Sequence, residues 1–323
     1  MMTVTNLTPE LFRDSRAELA EGPTWDAGTS TLVWVDILAN RVWREPWSKP
    51  SAVQCFETPS HVGAALFSTN PGELLLLLRD GFYRRDGEGA LTALAQPLST
   101  EPGIRFNDGK VSPDGRAFGG TMPYNTGPPD GALYRLDAPG DAVTCVSGLA
   151  VSNGLGWSPD GSAMYLIDSG PGRMWRYQYD AATGAMTGGT VLVQFESVGA
   201  SMPDGLTVDD EGCLWVAVWG GGQCRRYTPD GRLDRTVLLP VSQPTSMCFV
   251  GPRLDTLLIT TASYGLDAAR LEREPLAGGL FVLDAPCTGP AATPWRAFPG
   301  SATIVPAATA VSTTTVSTTT ARE

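Results

Sequence analysis

Leu32-Val33-Trp34-Val35-Asp36 is the first of six short apolar segments that recur along this chain. The others are Leu74 to Leu78, Ala117-Phe118-Gly119-Gly120-Thr121, Ala163-Met164-Tyr165-Leu166-Ile167-Asp168, Cys213-Leu214-Trp215-Val216-Ala217 and Thr256-Leu257-Leu258-Ile259-Thr260. Starting at 32, 74, 117, 163, 213 and 256, they advance in steps of 42, 43, 46, 50 and 43 residues. A period in the forties with strands in every unit indicates an all-β, six-bladed β-propeller. Each unit reads as four antiparallel strands. The first strand precedes the apolar segment, and the two are joined by turns such as Pro113-Asp114-Gly115 and Pro159-Asp160-Gly161, whose residues accept hairpin angles. Third strands repeat a motif typified by Arg41-Val42-Trp43-Arg44 and Arg173-Met174-Trp175-Arg176. Fourth strands are expected near 52–57, 91–95, 142–146, 190–195, 233–239 and 293–298. Residues 1–300 thus form one propeller, with the segment before Glu21 adding to the last blade. Residues 301–323, rich in Ser and Thr, read as a disordered low-complexity tail.

An oxygen-bearing side chain sits before the first strand in four units. Glu21, Asn107, Asn153 and Asp204 precede their apolar segments by 11, 10, 10 and 9 residues. Taken singly, Asn107-Asp108-Gly109, Asn153-Gly154 and Pro203-Asp204-Gly205 are ordinary turn sequences. Within the repeat, however, the turn between first and second strands is already supplied elsewhere. These four residues instead stand where the innermost strands open onto the central channel. Two carboxylates and two amides there suit a hard or borderline divalent cation such as Ca²⁺, Mg²⁺ or Mn²⁺. His61, the chain's one histidine, occupies the corresponding place in the second unit and is a candidate lining residue. A His-rich zinc site is excluded. Arg105 lies two residues before Asn107, which puts both on one face of an extended segment, and an Arg there can orient an oxygen-rich substrate.

Net charge is −11 and no run of Lys or Arg occurs, which argues against nucleic acid and anionic membrane as partners. The N-terminal segment does not read as a secretory signal, and no purely apolar run exceeds seven residues, far too short to span a bilayer. The six cysteines form no CxxC pair, so a reduced, cytoplasmic setting is expected. The expected assembly is a monomer or weak homo-oligomer.

At these residues the chain resembles the senescence marker protein-30 / gluconolactonase family, also called regucalcin-like sugar lactonases. The matching segments are Ala20-Glu21-Gly22-Pro23-Thr24-Trp25, Arg105-Phe106-Asn107-Asp108-Gly109-Lys110, Gly120-Thr121-Met122, Ser152-Asn153-Gly154-Leu155, and Pro203-Asp204-Gly205-Leu206 with Leu214-Trp215-Val216-Ala217. The resemblance implies one catalytic divalent cation (Ca²⁺, Mg²⁺, Mn²⁺, Zn²⁺ or Fe²⁺) held by Glu21, Asn153 and Asp204. It implies that Arg105 and Asn107 contact substrate, and in some relatives the residue matching Asn107 also reaches the metal. Two departures lie where specificity is set. Asn125 stands where several sugar lactonases have an acidic residue, and Ser263-Tyr264 stands where the family often has an Arg.

The expected chemistry is therefore metal-assisted hydrolysis of a glucono-, xylono- or arabinonolactone to the aldonic acid. Asp204 is the candidate proton acceptor, and Arg105, Asn107, Asn125 and His61 hold the sugar hydroxyls. A phosphotriesterase or aryl-ester hydrolase on the same cation, or a non-catalytic calcium-binding propeller, are the alternatives.

Overall fold

The second strand of every repeat is mostly apolar and buried because both of its faces are covered. Thr31–Asp36, Leu74–Leu78 and Ala163–Asp168 are buried at every residue. A strand with one solvated face would alternate instead. The computed structural model describes residues 7–49, 52–125, 128–196 and 201–298; the tail at 301–323 lies outside them. Among the described residues the strands form six separate four-stranded antiparallel sheets, each meandering outward from an inner strand. The six inner strands, Ala20–Asp26, Val62–Phe67, Ile104–Val111, Ser152–Trp157, Met202–Val208 and Pro244–Val250, touch one another around an axis. This is the expected six-bladed propeller.

The core is distributed among the wedges between neighbouring blades. Val33 and Val35 of blade one meet Leu74 and Leu76 of blade two. Phe118 of blade three meets Trp157 and Leu166 of blade four, and Trp215 of blade five meets Phe249, Leu257 and Phe281 of blade six. No helix among the described residues is long and apolar enough to cross a membrane, and all six cysteines are free.

Blade six corrects one expectation. Its outermost strand is Glu10–Arg13, with Leu11 opposite Phe281, and not the segment 293–298. That segment crosses to blade two, where Trp295 N donates to Phe67 O at 2.6 Å and Thr69 N donates to Trp295 O at 2.9 Å. The Trp295 ring is buried among Leu66, Leu75 and Phe82. Burying a large indole in that wedge outweighs a ladder position at the rim of a sheet.

The N-terminal strand also links blade six to blade one. Arg13 Nε lies 2.6 Å from Glu45 Oε2, and Glu45 Oε1 accepts from Trp34 Nε1 at 2.9 Å. Glu45 is only 2% exposed, so removing its cation strands a buried charge. Arg13→Ala is expected to destabilise the protein by about 2 kcal/mol, below the ~3–5 kcal/mol of a fully buried pair because Arg13 is partly exposed. Thermal unfolding should register a Tm lower by several degrees. An unchanged Tm would show that the ring closes without this link.

Candidate active site

Each inner strand breaks its register at the same level. The shifts fall between Glu21 and Thr24, Val62 and Ala64, Phe106 and Asp108, Asn153 and Leu155, Pro203 and Leu206, and Pro244 and Ser246. A bulge leaves residues unpaired and re-aims side chains. Glu21, Asn107, Asn153 and Asp204 therefore lie within the inner strands, at or beside their bulges, rather than in turns ahead of them. Glycine is required where the strands crowd. A Cβ on Gly154 would stand 2.6 Å from the carbonyl oxygen of Asp204, and one on Gly63 would stand 2.9 Å from that of Asn107.

The approach to two of these residues is fixed from the neighbouring strand. Asp36, which ends the second strand of blade one, accepts from Glu18 N and Leu19 N, both at 3.0 Å. Asp168 does the same in blade four for Ala150 N and Val151 N, both at 3.0 Å. In each case the clamped amides lie just ahead of a predicted ligand, Glu21 or Asn153.

Four of the predicted residues converge. Asn153 Nδ2 donates to Asp204 Oδ1 and also to Ser169 Oγ at 3.1 Å. Asn153 Oδ1 accepts from Gly154 N at 3.3 Å. Burial first, then repulsion from Asp204 and Asp108, holds the Glu21 carboxyl well above the usual range. Burial and Asp108 do the same to Asp204. Arg105, itself buried, feels the charges of Glu21 and Asp204, and its Nη1 donates to Phe106 O at 3.0 Å. Asn107 is buried beside blade four, with Nδ2 donating to Ser152 O at 3.2 Å. Of the other two predicted residues, His61 shares a 2.9 Å hydrogen bond through Nδ1 with Tyr124 OH, while Asn125 is exposed next to Tyr124.

Asp108 and Lys110 were not among the expected site residues. Simple alternation assigns the face of Arg105 to Asn107, but the bulge inserts one residue and gives that face to Asp108 and then Lys110. Burial raises the Asp108 carboxyl. Lys110 is held below its ordinary pKa by burial, and its Nζ reaches across to Leu206 O at 2.7 Å. The signal was present in the even spacing of the two charges, readable only with the bulge known.

Beyond these charges the channel widens into a cavity of about 260 Å³, lined by the later halves of all six inner strands and by Pro290–Thr293. It faces the end of the ring opposite Glu21 and Asp204. At that end Asp209, Glu211 and Cys213 also cluster. Arg226 already neutralises the two carboxylates there, at 2.8 and 2.5 Å, so the group is an ion-pair network.

The donor set around Glu21 fits a divalent cation. Crowded buried carboxylates with raised proton affinity gain most from a positive charge between them, and oxygen-only donors favour a hard ion. A carboxyl with a raised folded-state pKa contributes stability that is full below the ordinary range and is lost as pH rises through the raised value. The metal-free protein is accordingly expected to lose thermal stability as pH climbs above about 4, the ordinary carboxylate value. Asp204→Asn and Glu21→Gln should each flatten that slope in the presence of chelator. Melting curves from acid to neutral pH test this, and identical slopes in wild type and variants would contradict it.

Residues 19–263 match the family described as the SMP-30/Gluconolactonase/LRE-like region. The chain is 35% identical over 280 residues to a regucalcin of Gallus gallus, spanning 84% of this chain and 92% of that protein. It is 33% identical over 292 residues to a pentonolactonase of Haloferax volcanii, spanning 89% and 96%. Among solved structures, a regucalcin of Agrobacterium tumefaciens described as a calcium-binding protein superposes with a TM-score of 0.85 at 29% identity, covering 90% of this chain and 98% of that one. With the matched region spanning most of the propeller, the chain belongs to the SMP-30/gluconolactonase/LRE-like family.

Proposed function

We infer that this protein hydrolyses a lactone at the mouth of the channel where Glu21, Asn153 and Asp204 meet. The observation that carries the reading is the pair of buried, mutually repelling carboxylates Glu21 and Asp204, with Asn153 hydrogen-bonded to Asp204 and the charge of Arg105 acting on both. Kinship with a protein named pentonolactonase supports a hydrolase acting on cyclic esters. Sugar lactones are the proposed substrates, and a divalent cation the proposed cofactor.

Glu21, Asn153 and Asp204 would hold the cation, Asn153 through its amide oxygen, since its nitrogen is engaged as a donor. When bound, such an ion polarises the lactone carbonyl and stabilises the oxyanion that forms on it. Arg105 keeps donors beyond its bond to Phe106 O, and these orient the ester oxygens. Asp204 Oδ1 accepts from Asn153 and would keep its other lone pair for the cation, so Oδ2 is the atom that would take a proton from the attacking water. As the water oxygen bonds to the carbonyl carbon, the ring C–O bond breaks. The proton passes to the departing ring oxygen, giving the open hydroxy acid. Asn107, pinned to Ser152 O, contributes its amide oxygen toward substrate or cation.

Proton release from a panel of aldonolactones tests the reading. Activity should vanish with chelator and return with one of several divalent ions, and Asp204→Ala should lower kcat by roughly 10³-fold or more, the scale of losing both a charge and a base. Tight cation binding without turnover on any lactone would instead support a calcium-binding role.

A further inference from the structure

The cavity of about 260 Å³ is roofed by a strap whose anchors lie on opposite sides of the ring. The chain leaves blade six after Leu280–Asp284 and is held first by blades five and six. There Asp210 N donates to Thr288 O at 3.0 Å, Thr288 Oγ1 donates to Asp210 Oδ2 at 2.6 Å, and Gly289 N donates to Leu254 O at 3.0 Å. It is next held by blades two and three, at Trp295 as described above and at Arg296, whose N donates to Gly115 O at 3.0 Å. In between, Ala291, Ala292 and Thr293 border the cavity and donate no backbone hydrogen bond among the described residues. At the inner end, half-buried Lys110 reaches past blade four to blade five, where its Nζ donates to Leu206 O at 2.7 Å. An ammonium has donors to spare beyond that one, and Lys110 forms no ion pair among the described residues. Asp108 borders the cavity too, but its Oδ1 is taken by Gly109 N at 2.7 Å. The walls carry Trp25, Phe67, Trp157 and Phe249, one ring from each of four blades. The indole N–H groups of Trp25 and Trp157 have no hydrogen-bond partner among the described residues.

We propose that this roofed cavity is a second ligand site, separate from Glu21 and Asp204, which takes a small monocarboxylate with a hydrocarbon body. The carboxylate sits on Lys110 Nζ and the body lies against the aromatic walls. A half-buried ammonium without a counter-charge gains most from an anion, because charge-assisted hydrogen bonds offset its partial loss of water. Hydrocarbon in turn gains from leaving water against the rings. Lys110 is the one cationic residue in the lining, so a single negative charge is matched and a second is not. The volume lies just below the range of drug-sized sites, which suits one ring or a short chain. The site is independent of the lactonase reading.

Calorimetry on the metal-loaded full chain compares 3-phenylpropionate, 3-phenylpropanamide and propionate. The phenyl acid is expected to bind roughly tenfold more tightly than the amide, the scale of exchanging a charge-assisted for a neutral hydrogen bond. It should exceed propionate, which lacks the ring, by a similar factor of roughly ten. Lys110→Met should bring the acid down to the affinity of the amide and leave the amide unchanged, whereas Lys110→Arg should keep the preference. Ala292→Trp, on the exposed strap, narrows the cavity and should weaken acid and amide alike, which keeps the test open if Lys110→Met does not fold. Asp204→Ala removes a proposed cation ligand and should bind the acid as wild type does. No binding of the acid, equal binding of acid and amide, or an acid preference that survives Lys110→Met overturns the proposal. Binding that is lost in Asp204→Ala and kept in Ala292→Trp would put the acid on the axial cation and overturns it as well. Lactone turnover is not read in these measurements, so its failure would bear on the proposed function alone.

Discussion

Six inner strands have to converge on one axis, and the rest of the structure answers that crowding. Bulges at a common level let the backbones pass, and glycines at 63 and 154 admit the neighbouring strand where a methyl group would collide with a carbonyl. The same convergence brings Glu21, Asp108 and Asp204 into one buried region, where their charges repel. Arg105 and Lys110 oppose this repulsion without cancelling it. The site is thus a product of geometry at the axis, and its chemistry follows from how much negative charge the axis collects. Buried like charges of this kind are costly unless a cation or a proton joins them.

Much of this was legible in the chain. The forty-odd-residue spacing marked the blades, and the uninterrupted apolar runs anticipated strands covered on both faces. Glu21, Asn153 and Asp204 could be picked out because each occupied the same place in its repeat. The rest was hidden by two physical effects. The bulge shifts alternation by one residue, so Asn107-Asp108-Gly109 reads as a turn although it lies within the strand Ile104–Val111. Asp108 and Lys110 went unseen for that reason. At the other end, the segment 293–298 sits at the distance where a fourth strand belongs, but the hydrophobic gain at Trp295 takes it to blade two. Spacing reports what is repeated, and neither event is repeated.

The mouth and the axis follow different rules. Residues at the axis are buried and constrained by all six blades, so few side chains fit. The rim at Tyr124, Asn125 and Tyr264 lies on connections beyond the second strands, where exposure tolerates replacement. A single ring can keep its reaction while its outer contacts change. This agrees with the two departures from the family pattern falling on these rim segments.

The clamps made by Asp36 and Asp168 carry a consequence of their own. Each aspartate fixes the path of the chain just ahead of a site residue, yet it sits on a different strand and does not belong to the site. Placement and identity are therefore written in separate parts of the blade. Replacing Glu21 or Asn153 alters what a blade offers to the axis without altering where it offers it. Such a division makes the ring a set of interchangeable sockets, in which new donor combinations can be sampled one blade at a time.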